Sequence, residues 1–275
     1  MTDPRIEELE LDLLLEGIFR AYHYDFRSYA RSSLRRRIAQ ILASHQLPTA
    51  TALLDRLIHD PDSFASVLPG LTIQVSDLFR DPGYWRTLRG TVVPVLSTYP
   101  FLRVWIAGCG AGEEAYSMAI LLHEEGLLER TQIYATDIDA QSLRDAEAGV
   151  YSTERLRAFS ENYFAAGGRA SLSDYYEATS SHAVMSPALR RRILFSDHSL
   201  ATDAAFAEVQ LISCRNVLIY FEKTLQNRVV GLFLDSLCQR GFVGLGMHES
   251  LQFMDRAADF EVFSKSDNVY RAVAR

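Results

Sequence analysis

The sequence predicts an α/β protein: an open, doubly wound parallel sheet that follows a small all-helical domain and is interrupted by a small β insertion. Three observations predict it. Apolar residues recur at helical spacing through the first 70 positions, strand-like and helix-like segments alternate from Leu102 onward, and a polar stretch between about Tyr151 and Arg192 breaks that alternation. The expected division is residues 1–70 for the helical domain and 71–275 for the α/β domain, with the insertion at about 160–193.

In the first domain Leu11, Leu14, Leu15, Ile18 and Phe19 share a helical face, as do Leu34, Ile38, Ile41 and Leu42, then Leu53, Leu54, Leu57 and Ile58. Pro48 and Pro61 separate these segments, and Pro69-Gly70 is expected to end the last of them. Asp81 and Pro82 read as the cap and first turn of a helix carrying Trp85, Leu88 and Val92, which is expected to bridge the two domains. Strands then follow at Leu102–Ala107 and Gln132–Thr136. Helices are expected from about Gly112 to Glu125 and from Asp139 to about Ala148. Inside the insertion, Tyr175-Tyr176-Glu177 and His182–Met185 are candidate strands. Order returns with strands at Ile193–Ser196, Val209–Ser213 and Phe242–Met247, a helix from Lys223 to about Gln239, and a terminal pair near Phe260–Phe263 and Val269–Val273.

Composition excludes several classes. With 275 residues, 48% of them hydrophobic and 23% charged, the chain has ample material for a core, so disorder is excluded. Its first sixteen residues carry six acids and no apolar run reaches the roughly 18 residues of a membrane span, so a cytoplasmic protein without membrane insertion is expected. Cys109, Cys214 and Cys238 form no CxxC pair, and neither a disulfide nor a metal site is expected. A net charge of −7 argues against nucleic-acid binding.

Val104-Trp105-Ile106-Ala107-Gly108-Cys109-Gly110-Ala111-Gly112 reads as a buried strand entering a glycine-rich turn and then a helix. In a doubly wound sheet, nucleotides bind at the carboxyl ends of such strands, where glycines allow close backbone approach. Here Glu113 occupies the place of the third glycine of a dinucleotide fingerprint and Glu114 follows it. Two carboxylates at the first turn would repel a pyrophosphate and compete for the same helix amides. S-adenosylmethionine (SAM) carries no phosphate and brings an ammonium and a sulfonium, which acidic neighbours favour. A second reading leaves Glu113 simply stabilising the helix N-terminus. Asp137 stands 25 positions after Gly112, where an acid can accept hydrogen bonds from both ribose hydroxyls, and Asp139 reads as the cap of the next helix. Together these features indicate a Rossmann-like SAM-dependent methyltransferase.

The run from Trp105 to Ser117 and the run Cys214-Arg215-Asn216-Val217-Leu218-Ile219-Tyr220-Phe221 resemble the CheR family, protein-glutamate O-methyltransferases of bacterial chemoreceptors. Leu78-Phe79-Arg80, Thr136-Asp137-Ile138-Asp139, Met247-His248-Glu249-Ser250 and the basic helix Tyr29–Arg37 match further motifs of that family, so the resemblance runs from about residue 29 to 270. It implies that Arg80, Gly108, Gly110, Glu114, Asp137, Arg215 and Asn216 line the SAM pocket. Gln74 and Ser76 replace the family's Asn and Thr, and Ser199, followed by Leu200, replaces its Asn after the third strand. The resemblance also places Arg80 and Tyr220 beside the transferred methyl. Arg31, Arg35, Arg36 and Arg37 would meet the acidic, helical cytoplasmic region of a receptor, and the enzyme is expected to be a monomer. The insertion corresponds to a small β-subdomain that in some members captures a receptor's C-terminal peptide as an added strand. Phe164–Phe195 is longer here and Gly167-Gly168-Arg169 matches the glycine loop only loosely, so tethering by that route is not expected.

Glutamate methylation needs no general base, because a carboxylate of pKa about 4.3 is already ionised at neutral pH. The enzyme must supply alignment and exclude water. Two alternatives stay open: SAM-dependent methylation of another carboxylate or an amine, and a SAM-binding regulatory module without turnover.

Overall fold

The computed structural model describes residues 3–72 and 76–274. They divide into two compact units, one made of Met1–Ile73 with Ile219–Gln226 and the other of Gln74–Leu218 with Asn227–Arg275. Among the described residues no helix is long and apolar enough to cross a membrane.

The first unit is helical: α1 (Pro4–Tyr22), α2 (Arg31–His45), α3 (Ala50–His59) and α4 (Phe64–Leu71). Local chemistry sets their starts. Asp3 accepts a hydrogen bond from the Arg5 amide ahead of Pro4, and Thr49 accepts one from the Ala52 amide. Leu11, Leu14, Leu15 and Ile18 of α1 are buried with Leu34, Ile38 and Ile41 of α2 and Leu53 and Leu57 of α3. Backbones approach closely where glycine permits it: a Cβ at Gly17 would lie 2.3 Å from Leu54 Cδ1, and one at Gly70 would lie 2.6 Å from Ile41 Cγ1. Helix α4 continues through Pro69-Gly70 to Leu71, one turn beyond the expected break, because packing of Val67, Leu68 and Leu71 outweighs the amide lost at Pro69. The short segment Ile219–Gln226 joins this unit through Ala30 N–H donating to the Tyr220 carbonyl at 2.8 Å and Glu222 N–H donating to the Ser28 carbonyl at 2.9 Å.

The second unit opens with one helical rod: α5 (Pro82–Thr87), a wider π turn over Leu88–Val92, and α6 (Val93–Leu96). The π turn has a cause in the sequence. Pro94 lacks an amide and its ring crowds the carbonyl four residues back, and the widened turn, in which the Val93 N–H reaches the Leu88 carbonyl, accommodates it. The rod belongs to the core of this unit, where Trp85, Leu88, Val92 and Leu96 are buried.

Strands and helices then alternate: β1 (Leu102–Ala107), α7 (Glu113–Glu124), β2 (Thr131–Asp137) and α8 (Ala140–Ala148). The insertion supplies β3 (Val150–Ser152), α9 (Leu156–Ala165), β4 (Tyr176–Ala178), β5 (His182–Met185) and α10 (Pro187–Arg190). The main sheet resumes with β6 (Ile193–Asp197) and β7 (Val209–Cys214), followed by α11 (Lys223–Ser236), β8 (Leu237–Leu245), β9 (Phe260–Ser264) and β10 (Val269–Ala272). The main sheet runs β6-β2-β1-β7-β8-β10-β9, parallel from β6 to β8 and antiparallel through β10 and β9. The small sheet, β3-β5-β4, is antiparallel and begins at Val150, ahead of the boundary expected from sequence. Helix α9 was not expected. Its apolar content is thin, with Phe159 and Tyr163 the residues it buries fully.

Candidate functional site: the acidic switch point of the sheet

From β1 the chain passes outward to β2 and β6, then returns to the other side of β1 as β7. Neighbouring strand ends therefore diverge between β1 and β7, which is where a doubly wound sheet opens a crevice for a ligand. The glycine turn after β1 lies there, with Gly108, Gly110 and Gly112 at φ 74°, 53° and 92°, conformations that side chains strain to adopt. A Cβ on Gly108 would also lie 2.6 Å from Val217 Cγ2.

Asp137, at the end of β2, braces that turn. Its carboxylate accepts from Gly110 N–H at 2.8 Å and from Asp139 N–H at 3.0 Å. Burial pushes its carboxyl above the ordinary carboxylate range, against the pull of these backbone donors. Asp139 caps α8 as expected, accepting from the Gln141 amide at 2.9 Å. Ser199 and Leu200 follow β6, whose neighbour His198 donates its amide to the Asp137 carbonyl at 3.2 Å. Leu200 is buried, and the Ser199 amide donates to Asp203 at 2.8 Å.

Glu114 faces the end of β7. Ser213 Oγ donates to one of its oxygens at 2.6 Å and Arg215 to the other at 3.2 Å, while the Tyr84 hydroxyl pairs with Ser213 at 2.7 Å. The Arg215 side chain is 1% exposed and stacks its guanidinium 4.3 Å from the Tyr84 ring centroid. It also donates to Asp81 at 2.8 Å and to the Arg80 carbonyl at 2.9 Å. Asp81 is thus not the helix cap that its position before Pro82 suggests. Its backbone is left-handed (φ 54°) and its carboxylate turns to Arg215.

Phe79, on the other side of Arg80, is also left-handed (φ 53°). Such backbone in an aromatic residue costs free energy and persists only where the surroundings impose it. Here the ring is fully buried 5.3 Å from Trp85 and 5.2 Å from Tyr163, and the amide donates to Ser117 Oγ at 2.8 Å. Arg80 is thereby fixed at its Cα while remaining partly exposed. Ser76 offers its carbonyl to Arg155, and Gln74 lies outside the described residues.

Asn216 is left-handed as well (φ 61°), held by a residue whose part in the site only the structure reveals. The Glu249 carboxylate accepts from Asn216 N–H at 2.9 Å, Val217 N–H at 2.8 Å and Gly246 N–H at 2.6 Å. Nothing in the sequence pairs Glu249 with a segment 33 residues away; its motif match is the sole signal. The two cysteines nearby, Cys109 and Cys214, are buried, and burial holds both thiols well above their usual range.

In the first unit, Tyr220 lies under the guanidinium of Arg37, 4.6 Å from centroid to Cζ. One arginine of the basic helix departs from the expected docking face. Arg37 is 4% exposed and donates to the Leu71 carbonyl, so it serves packing and not a partner. Arg31 pairs with Asp12 at 2.6 Å and Arg35 with Glu8, both acids of α1, and Arg35 and Arg36 are exposed.

The donor set fits SAM. Two carboxylates stand at the crevice, Asp137 at the end of β2 and Glu114 in the first turn of α7, and the oxygens of Asp137 have acceptor directions beyond the two backbone donors, suited to hydroxyls.

The sequence matches the family description "CheR methyltransferase, SAM binding domain" over residues 74–268 and "CheR methyltransferase, all-alpha domain" over residues 9–72. It is 51% identical over 271 residues to "Putative methyltransferase Cher3" of Pseudomonas putida, covering 98% of this chain and 99% of that protein. It is 30% identical to a "Chemotaxis protein methyltransferase" of Listeria innocua, covering 90% of this chain and 92% of that one. An uncharacterized 104.1 kDa protein of Rhodobacter capsulatus is 31% identical over 90% of this chain, which spans 26% of its length. A doubly wound sheet with an acidic switch point, a helical domain ahead of it and both matches in register place the chain in the CheR methyltransferase family.

Proposed function

We propose that the protein transfers the methyl group of SAM to glutamate side-chain carboxylates of a chemoreceptor-type protein, giving methyl esters. The observation that carries this reading is the acid-lined switch point, where Glu114 and Asp137 are anchored at the ends of β1, β2 and β7 and both cysteines are neutral thiols. Carboxylates there suit a cationic, phosphate-free nucleoside. When bound, SAM supplies an electrophilic sulfonium methyl.

The chain's own residues bind and align. Asp137 keeps the glycine turn closed and offers acceptors to ribose hydroxyls. Ser213 and Arg215 fix the orientation of Glu114, and Glu249 fixes the backbone of Asn216. Among the described residues no histidine side chain takes part in these hydrogen bonds, which suits an acceptor that arrives already ionised. We assign Arg80 to aligning that carboxylate, Tyr220 to the same step, and Arg36 with Arg35 and Arg31 to meeting the acidic helical region of a cytoplasmic receptor domain.

The test is methyl transfer from labelled SAM to a purified receptor cytoplasmic fragment. The label should leave as methanol on mild alkali. An alkali-stable label would indicate an amine acceptor, and binding of SAM without transfer would indicate a regulatory module; either result overturns the proposal. Arg80→Ala and Tyr220→Phe should each lower kcat, and wild-type kinetics in both would refute their assignment.

A further inference from the structure

The inserted segment is tied directly to the glycine turn. Tyr151 of β3 donates its hydroxyl to the Ala111 carbonyl, inside that turn, at 2.8 Å. Four residues later Arg155 donates to Glu113, the first residue of α7, at 2.8 Å. The same guanidinium donates to the Ser76 carbonyl and lies 3.2 Å from the Asp77 carboxylate, and it stacks 4.6 Å from the ring of buried Phe159. One side chain therefore joins the head of the glycine-turn helix, the segment leading to Arg80 and the start of α9.

Helix stability alone does not account for the arrangement. A carboxylate favours a helix N-terminus without being buried, yet Glu113 is 1% exposed and its second oxygen has no hydrogen-bond partner. Sealing a carboxylate away with one acceptor unfilled, against an arginine whose side chain stays 37% exposed, is a poor source of stability. What it does supply is fixed spacing, because the two terminal nitrogens of one planar fork hold the Glu113 carboxylate and the Ser76 carbonyl at a set separation, which the single ammonium nitrogen of a lysine does not impose.

We propose that Arg155 is a positioning residue for SAM binding, setting the distance between the Ser76–Asp77 segment and the glycine turn. The inference rests on the assignment of the crevice to SAM. It gives the insertion a role in cofactor affinity that needs no captured peptide.

The test uses the full-length protein and calorimetric titration with S-adenosylhomocysteine, together with amide hydrogen exchange in the ligand-free state. Arg155→Gln should weaken binding about tenfold and speed exchange at Leu78–Arg80 and Gly110–Gly112. Arg155→Lys, which keeps the charge on Glu113 but loses the fork, should restore the thermal midpoint without restoring affinity. Wild-type affinity in Arg155→Gln, or full rescue of affinity by lysine, would overturn the proposal. If the wild-type protein itself takes up no S-adenosylhomocysteine, the assignment of the crevice fails, and the positioning role with it.

Discussion

Replacing Glu249 tests how the β7 turn is held. Glu249 is 6% exposed, and its carboxylate takes three backbone N–H groups at 2.6 to 2.9 Å, two on one oxygen and one on the other. In Glu249→Gln the carbonyl oxygen can keep the pair from Asn216 and Gly246, but the amide nitrogen then points a donor at the Val217 N–H. One charge-assisted bond, about 1.5 to 3 kcal/mol, is lost and a buried donor is left unmet. A destabilisation of about 2–4 kcal/mol follows, and Glu249→Ala, which strands all three donors, should exceed it. The molecule carries its own probe, since its two tryptophans, Trp85 and Trp105, are both fully buried in the second unit. Urea titration followed by tryptophan fluorescence therefore reads that unit, and the midpoint should fall with an unchanged slope. S-adenosylhomocysteine affinity should fall too, because Asn216 would relax from its left-handed backbone. A Gln variant within about 0.5 kcal/mol of wild type would refute the reasoning.

Two further outcomes are expected. Arg36→Ala should raise KM for a receptor fragment at low salt and lose that effect at high salt, because its charge is exposed. Arg37→Ala should instead loosen the first unit, seen as faster amide exchange in α2, with no salt dependence in KM. Asp137 titrates above its ordinary 3.8 in the folded state because it is buried. The folded protein thus holds that proton more tightly than the unfolded chain, so this group's contribution is present below about pH 3.8 and is lost as pH rises through the folded value. In the ligand-free protein Asp137→Asn should flatten that fall, read by chemical denaturation at a series of pH values from 3.8 upward; an unchanged slope would show that the residue does not carry it.

The strand pattern was legible because buried parallel strands are short apolar runs closed by turn residues, as at Leu102–Ala107 and its glycines. Gly110 and Asp137, read separately, meet in one hydrogen bond. What escaped were features made by distant partners. The five arginines between residues 27 and 49 stand in a stretch without acids, yet Asp12 and Glu8 of the preceding helix reach two of them, Arg31 and Arg35. Asp81 has the sequence context of a cap, but the competing cation of Arg215, 134 residues away, draws it aside. Helix α9 hides in a polar stretch because just two of its side chains are fully covered. Arg155 carries no local pattern, since the groups it bonds lie 42 or more residues distant, and the motif around Glu249 does not reveal that it holds Asn216 and Val217, 33 and 32 residues away.

The placement of Phe79 bears on how Arg80 meets a ligand. To swing that arginine away, the chain would have to withdraw an aromatic ring from between Trp85 and Tyr163 and strip its amide from Ser117. The arginine's anchorage is therefore decided when the core condenses, and an arriving substrate finds its backbone already set. Ordering entropy that an encounter would otherwise surrender has been met in advance by the folding of the interior.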